Sequence, residues 1–280
     1  MKIFVVNLKQ AVDRKKHMEK QLGAMNLSYE FIEAVDGREL DDEALVERSN
    51  LGFYRQHPSW DTRGKGIIGC ALSHQNIYKK IVKRKIPRVL ILEDDIHITK
   101  DMPMLLRKIN KMRNIEKNEL ILFDAMSIGE KVRLSSFNRR GIGKTFSLLY
   151  PINFNNLWNG SAYSISYESA AAFLDAYPKV ERVPDAWGAF YEKNIFSTIS
   201  CVNRPAAYQG AFDSSIGVPA SNMRFKSKAR LMVRQRIPSL YLLVNKIKSA
   251  KKNSFGTRYN IQNEFSKIDP NYDIDLNISK

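Results

Sequence analysis

One stretch constrains this chain more than any other: Arg88-Val89-Leu90-Ile91-Leu92-Glu93-Asp94-Asp95-Ile96. A short apolar run stops at three consecutive carboxylates. Behind a proline, here Pro87, such a run reads as a buried strand. In an open α/β sheet, ligands gather at the carboxyl ends of the strands. Three acids at one strand end repel each other unless a cation or a set of donors holds them. If the extended backbone continues, Glu93 and Asp95 project to one side and Asp94 to the other. The pair then offers hard oxygen ligands to Mn2+ or Mg2+. The bland alternative is an exposed acidic turn that caps the next helix. This stretch alone leaves both open.

The flanking pattern supplies the context. Residues 3–8 form an apolar run, a first strand. Asp13 is placed to cap a helix in which Met18, Leu22 and Met25 recur at i, i+4 and i+7. Residues 29–34 alternate and end at Asp36-Gly37, a second strand and a turn. This β-α-β opening implies parallel pairing through a right-handed crossover. Further strands are expected at 119–123, ending at Asp124, and at 146–150, 161–166 and 198–202. Helices are expected from Asp41 or Asp42, around Cys70, His74, Ile77 and Ile81, from Asp101, over 168–177 and from Pro184-Asp185. Alternating β and α elements predict an α/β sheet.

Two stretches read as loops. Residues 50–66 combine Gly, Pro, His and aromatics; Arg55, Arg63 and Lys65 there are candidate phosphate contacts or solvated charges. Gly64-Lys65-Gly66-Ile67-Ile68-Gly69 matches G-x-G-x-x-G, but that fingerprint needs a strand directly before it. A turn leading into a helix is the better reading. Residues 127–144 are polar and aperiodic, a mobile loop by expectation.

At 280 residues the chain suffices for one large domain or two small ones, and its net charge of +16 favours polyanionic partners. After Asp213 no acidic residue occurs until Glu264, and Lys and Arg interleave with Leu, Ile and Val. That tail reads as basic helices on an anionic membrane surface, or as helices packed on the main domain with solvated basic faces. Cys70 and Cys201, far apart within apolar patterns, read as buried free thiols. The opening residues make too short an apolar run for a signal peptide. No stretch reaches the ~18 apolar residues of a membrane span. The expected location is cytoplasmic, peripheral on the inner face of the cytoplasmic membrane.

Several motifs in order resemble glycosyltransferase family 25, the lipooligosaccharide galactosyltransferases. They are Val6-Asn7-Leu8 with Asp13-Arg14, Ala34-Val35-Asp36-Gly37, Gly69-Cys70-Ala71-Leu72-Ser73-His74, Leu92-Glu93-Asp94-Asp95, Gly160-Ser161-Ala162-Tyr163 and Val183-Pro184-Asp185. The resemblance covers roughly residues 1–215. It implies a single nucleotide-binding domain of the glycosyltransferase A type (Rossmann-like) over residues 1–220; the basic helical extension over 221–280 is read from its charge pattern and is not part of the resemblance. It further implies a UDP-sugar donor, most often UDP-galactose, a divalent metal, and inversion to a β-linkage on a lipopolysaccharide core sugar.

Within that frame Glu93 and Asp95 are assigned to the metal and Asp94 to the donor ribose or sugar. Asn7, Leu8 and Arg14 meet the nucleotide at the end of the first strand; a surface role for Arg14 stays open. Ser73 and His74 are donor candidates, with a core histidine as the alternative for His74. An inverting displacement needs a carboxylate general base. Asp185 is the first choice, with a helix N-cap as its alternative, and Asp124 is the second. Two other classes compete. A nucleic-acid-binding protein would explain the charge, but no RNP, zinc or helix-turn-helix pattern is present. A nucleotidyltransferase usually has a Gly-rich basic loop after its first strand, where this chain has Lys9-Gln10-Ala11-Val12.

Overall fold

The computed structural model describes residues 1–50, 52, 60–124, 126–127, 133–154 and 157–210. The basic tail and most of the 50–59 stretch, Arg55 included, lie outside the described residues. The chain opens with β1 (Lys2–Asn7), α1 (Val12–Ala24) and β2 (Glu30–Glu33), followed by a 3-10 turn (Gly37–Glu39), α2 (Asp42–Arg48) and α3 (Trp60–Lys83). The acidic stretch forms β3 (Arg88–Glu93) and β4 (Ile96–Ile98), followed by α4 (Met102–Lys111), β5 (Glu119–Leu122) and β6 (Met126–Ser127). The remaining elements are β7 (Leu134–Ile142), β8 (Phe146–Pro151), β9 (Leu157–Trp158), β10 (Ala162–Ser166), α5 (Tyr167–Ala176), α6 (Trp187–Glu192), β11 (Thr198–Val202) and β12 (Ala207–Gln209).

Eight strands make one mixed sheet in the order β2-β1-β3-β10-β5-β11-β8-β7. The β-α-β opening gives the expected parallel trio, β1 lying between β2 and β3. Strand β10 runs antiparallel between β3 and β5. Its N-terminal end therefore lies beside the carboxyl ends of its two neighbours. The Glu93 amide donates to the Ser161 carbonyl at 2.8 Å, and the Phe123 amide to that of Ala162 at 3.0 Å.

Two apolar layers sandwich the sheet, and period-2 alternation sorts side chains between them. Phe4, Val89, Ile91, Leu120, Leu122, Tyr163 and Ile165 pack against α3, α5 and α6 through Ile77, Tyr78, Ile81, Phe173, Trp187 and Phe190. Ile3, Val5, Leu90, Leu92, Ile121 and Phe123 pack on the other face against α1 and α4 through Met18, Leu22, Leu105 and Ile109. Both faces being covered explains why the central strands read as continuous apolar runs.

Close backbone approach fixes where α3 lies. A Cβ on Gly37 would stand 1.7 Å from the Lys65 carbonyl oxygen, and one on Gly69 would stand 2.5 Å from the Gly37 amide nitrogen. Only glycine at both positions lets the 3-10 turn seat on the helix. The Gly64–Gly69 stretch lies inside α3, not in a turn before it, so the helix begins earlier than expected. The expected loop at 127–144 contains an edge strand instead: β7 pairs antiparallel with β8. Arg140 on β7 makes a charge-assisted hydrogen bond to the fully buried Glu119.

Candidate functional site

Strand β3 ends at Glu93, and Asp94 and Asp95 form the turn into β4. This corrects the premise that extended backbone carries Glu93 and Asp95 to one side. Within β3, Val89 and Ile91 face α3, and Glu93 continues that alternation. Asp94 and Asp95 instead meet α1. Arg14 lies 3.0 Å from an Asp94 oxygen and 3.6 Å from an Asp95 oxygen. Asn7, at the end of β1, donates to Asp94 at 2.7 Å. Leu8 follows directly, its carbonyl receiving the Ala11 amide at 2.8 Å. Asn7, Leu8, Arg14 and Asp94, four of the six residues expected on the donor side, are thus one local group.

Asp95 is 8% exposed, with Gln209 of β12 at 3.4 Å from Oδ2 and no hydrogen-bond partner for Oδ1. Burial, then the charge of Glu93, pushes its carboxyl up to about 7. Burial also raises Asp94, against the lowering by Asn7 and Arg14. Asp94 and Asp95 thus present buried hard oxygens, the donor type that Mn2+ and Mg2+ take, with the Arg14 guanidinium as their cationic neighbour.

On the other side of the strand end, Cys70, His74 and Glu93 offer ligand atoms that all lie within 4.8 Å of one another. This set is able to hold a metal ion. It combines Glu93 with two residues of α3, whereas Asp95 is not in it. His74 is buried; its Nδ1 lies 2.7 Å from the Tyr163 hydroxyl, which lies 2.7 Å from that of Tyr78. Its Nε2 stands 3.8 Å from a Glu93 oxygen and has no hydrogen-bond partner. Neither cysteine is in a disulfide; Cys201 is buried as expected, but Cys70 is only half-buried. Burial and the nearby Glu93 charge push the Cys70 thiol well up. Ser73 has its hydroxyl engaged twice. It donates to the Gly69 carbonyl at 2.7 Å and accepts from the Val35 amide at 2.8 Å, tying the loop after β2 to α3.

The two expected base candidates share one neighbour. Asn159 donates from its side chain to Asp124 at 2.8 Å and from its backbone to Asp185 at 3.0 Å. Ser161 donates to Asp124 at 2.7 Å. Asp124 Oδ1 is buried without a partner, and burial drives this carboxyl up to about 7. Burial raises Asp185 as well. Asp185 does not act as a helix cap: Ala186 holds the N-cap position of α6, and the Asp185 carboxylate turns to Asn159.

Asn159 was not anticipated as a site residue. Its φ of 82° lies in the left-handed region, which asparagine tolerates better than most residues. The Asn-Gly dipeptide is a turn signal, but nothing local in the sequence names the two aspartates it binds. The Glu93 charge adds to the rise of the Asp94, Asp95, Asp124 and Asp185 carboxyls, after burial in each case, so Glu93 lies electrostatically among all four. Such a carboxylate group can bind a cation, accept hydrogen bonds from hydroxyls, and take up a proton near neutral pH.

Comparison with known proteins agrees with the motifs. Among curated relatives, a glycosyltransferase 25 family member of Drosophila melanogaster is 32% identical over 65% of this chain and 29% of its own length. Procollagen galactosyltransferase 2 of Homo sapiens is 28% identical over 65% of this chain and 28% of its own. The chain therefore spans less than a third of these relatives. Among solved structures, a glycosyltransferase involved in glycosylation of the major capsid of PBCV-1 aligns over 71% of this chain and 80% of that one. Its identity is 10% and its TM-score 0.33, too slight a likeness to define the fold. The model for glycosyltransferase family 25 (LPS biosynthesis protein) matches residues 1–186, well over half of the sequence. On that match, and with the family's motifs gathered at one end of the sheet, the chain belongs to glycosyltransferase family 25.

Proposed function

We propose that the chain is an inverting, metal-dependent hexosyltransferase of the glycosyltransferase A type. It takes a UDP-sugar, UDP-galactose first among candidates, and forms a β-linkage to a core sugar of lipopolysaccharide or lipooligosaccharide. The observation that supports this most is the set of buried carboxyls around Glu93: its charge raises Asp94 and Asp95 after β3, Asp124 after β5, and Asp185, which Asn159 ties to Asp124. A sheet edge of this kind suits a cationic ligand together with a hydroxyl-rich one.

In this reading Asp95 would hold Mn2+ or Mg2+, with Glu93, whose charge raises the Asp95 carboxyl, swinging from its α3-facing position to supply the second oxygen. When bound, the ion supplies Lewis-acid stabilisation of the departing diphosphate. Asn7 and Arg14 orient Asp94, whose carboxylate receives a ribose or sugar hydroxyl of the donor. Ser73 supports the site by fixing the loop after β2, and His74 lines its α3 side. Asp185, or else Asp124, takes the proton of the acceptor hydroxyl as it attacks the anomeric carbon. A carboxyl near 7, such as Asp124, is half ionised at neutral pH, which suits a base.

The tail from residue 221 onward is assigned to the anionic face of the cytoplasmic membrane. Among the described residues no helix is long and apolar enough to cross a membrane. The test is a panel of UDP-hexoses with Mn2+ and lipopolysaccharide core oligosaccharides, with the linkage read by NMR. A β-hexosyl product, lost in Asp185→Asn or Asp124→Asn, is expected. Absence of both transfer and hydrolysis across the panel would overturn the reading. Deleting the residues after 223 should release the protein from anionic vesicles, and unchanged vesicle binding would reject the membrane role.

A further inference from the structure

We propose that Cys70, His74 and Glu93 form a site for a thiophilic divalent cation of the Zn2+ class, different from the Glu93–Asp95 oxygen pair assigned to the donor ion but sharing Glu93 with it. Cys70 and His74 are four residues apart on α3 and so share a face. The alternation of β3 turns Glu93 toward that helix. A thiol, an imidazole and a carboxylate are the ligand types that Zn2+ accepts together, whereas Mg2+ and Mn2+ favour oxygen sets.

The geometry is close to what such an ion requires. Tetrahedral zinc, with ligands at about 2.0–2.3 Å, sets its donor atoms roughly 3.5 Å apart. The three ligand atoms here lie within 4.8 Å of each other, so contraction by about 1 Å closes the set, a shift within side-chain torsions. The independent sign is His74. It is 1% exposed, and its Nε2 has no hydrogen-bond partner although Glu93 Oε1 stands 3.8 Å away. A buried imidazole nitrogen is rarely left so without a ligand to meet.

The opposite nitrogen is held as metal-bound histidines require. Nδ1 lies 2.7 Å from the Tyr163 hydroxyl. A partner of this kind fixes ring orientation and tautomer in metal sites. Tyr163 in turn meets Tyr78 at 2.7 Å, and rotation of the two hydroxyls lets Tyr163 accept from Nδ1–H. The Nε2 lone pair then faces Glu93 and Cys70. Binding releases the Cys70 proton to solvent, and three protein ligands leave a fourth position for water. Entry is open, since Cys70 is half-buried and the Glu93 side chain is 29% exposed. If Glu93 also serves the donor ion, as the proposed activity requires, the two ions exclude each other. A thiophilic cation then switches the transferase off.

Co2+ is the probe, because a cobalt–thiolate bond adds a charge-transfer absorption in the near ultraviolet. Titration of metal-free protein should develop this band with a single equivalent, and Zn2+ should bleach it. Cys70→Ser should lack the band. Tyr163→Phe should keep the band and bind cobalt about 10–100-fold more weakly. Asp95→Ala should leave both band and affinity in place. No band in the wild type, an unchanged band in Cys70→Ser, or a band lost in Asp95→Ala would overturn the site. Inhibition is read separately: Zn2+ should block Mn2+-supported turnover and lose at least tenfold potency in Cys70→Ser. A protein with the cobalt band but no turnover on any UDP-hexose would count against the transferase reading and leave the site standing.

Discussion

Replacing Asp124 by asparagine should change how stability depends on pH, and the size follows from the site. Asp124 is 1% exposed, and burial raises its carboxyl from 3.8 to about 7 in spite of Ser161 and Asn159. The folded protein thus holds this proton more tightly than the unfolded chain does. For a raised carboxyl the stabilisation is complete below the unfolded value and is lost as pH rises through the folded one. A rise of about 3 units corresponds to roughly 4 kcal/mol lost between about pH 4 and pH 8. Asparagine keeps an oxygen for Asn159 and Ser161 to donate to and cannot ionise. Urea unfolding of metal-free protein from pH 4.5 to 8.5, wild type beside Asp124→Asn, isolates this carboxyl; the similarly raised Asp95 contributes to both profiles and cancels in their difference. The variant should gain relative stability as pH rises, by up to about 1.4 kcal/mol per unit around the midpoint. Parallel profiles would refute the argument that Asp124 is a desolvated acid.

Two further outcomes follow from packing. Gly69→Ala puts a Cβ 2.5 Å from the Gly37 amide nitrogen and 2.6 Å from the Val35 carbonyl. It should cost about 3 kcal/mol, a fall of roughly 6–12 °C in Tm by calorimetry. Gly23→Ala, with nothing within 4 Å, should by contrast raise stability by about 0.5–1 kcal/mol. Arg140→Ala leaves Glu119, 0% exposed, without its guanidinium partner. A loss of about 3–5 kcal/mol is expected from urea unfolding, and Glu119→Gln in the same background should recover part of it.

The sheet was legible where both faces are apolar. Residues 88–92 and 119–123 announce themselves as strands because each alternate side chain enters one of two cores. Strand β7 was not legible. It is an edge strand with Arg139 and Arg140 on it, and edge strands carry charge without the apolar signal. Helix starts were uneven. The Asp41 carboxylate accepts from the Ala44 amide as a cap should, whereas Asp101 makes no such bond and α1 begins at Val12, ahead of Asp13.

At the candidate site, the acidic stretch does end a strand of the central sheet, but the alternation expected from it runs two residues past the strand. The turn at Asp94-Asp95 brings both to Arg14. The partnership of Glu93 with Cys70 and His74 depends on which sheet face α3 covers, a tertiary fact that local spacing does not carry. The same holds for Asn159, whose partners Asp124 and Asp185 lie 35 and 26 residues away.

The proposed activity places metal-dependent chemistry on a UDP-sugar at this sheet edge. Its most direct test is release of UDP from UDP-hexoses, measured while Mn2+ is titrated into wild type and Asp95→Ala. Turnover should need Mn2+ or Mg2+, vanish under chelation and fall at least about 100-fold in Asp95→Ala, a loss typical of removing charge stabilisation from a leaving group. Wild-type turnover that persists in Asp95→Ala under chelation would contradict it.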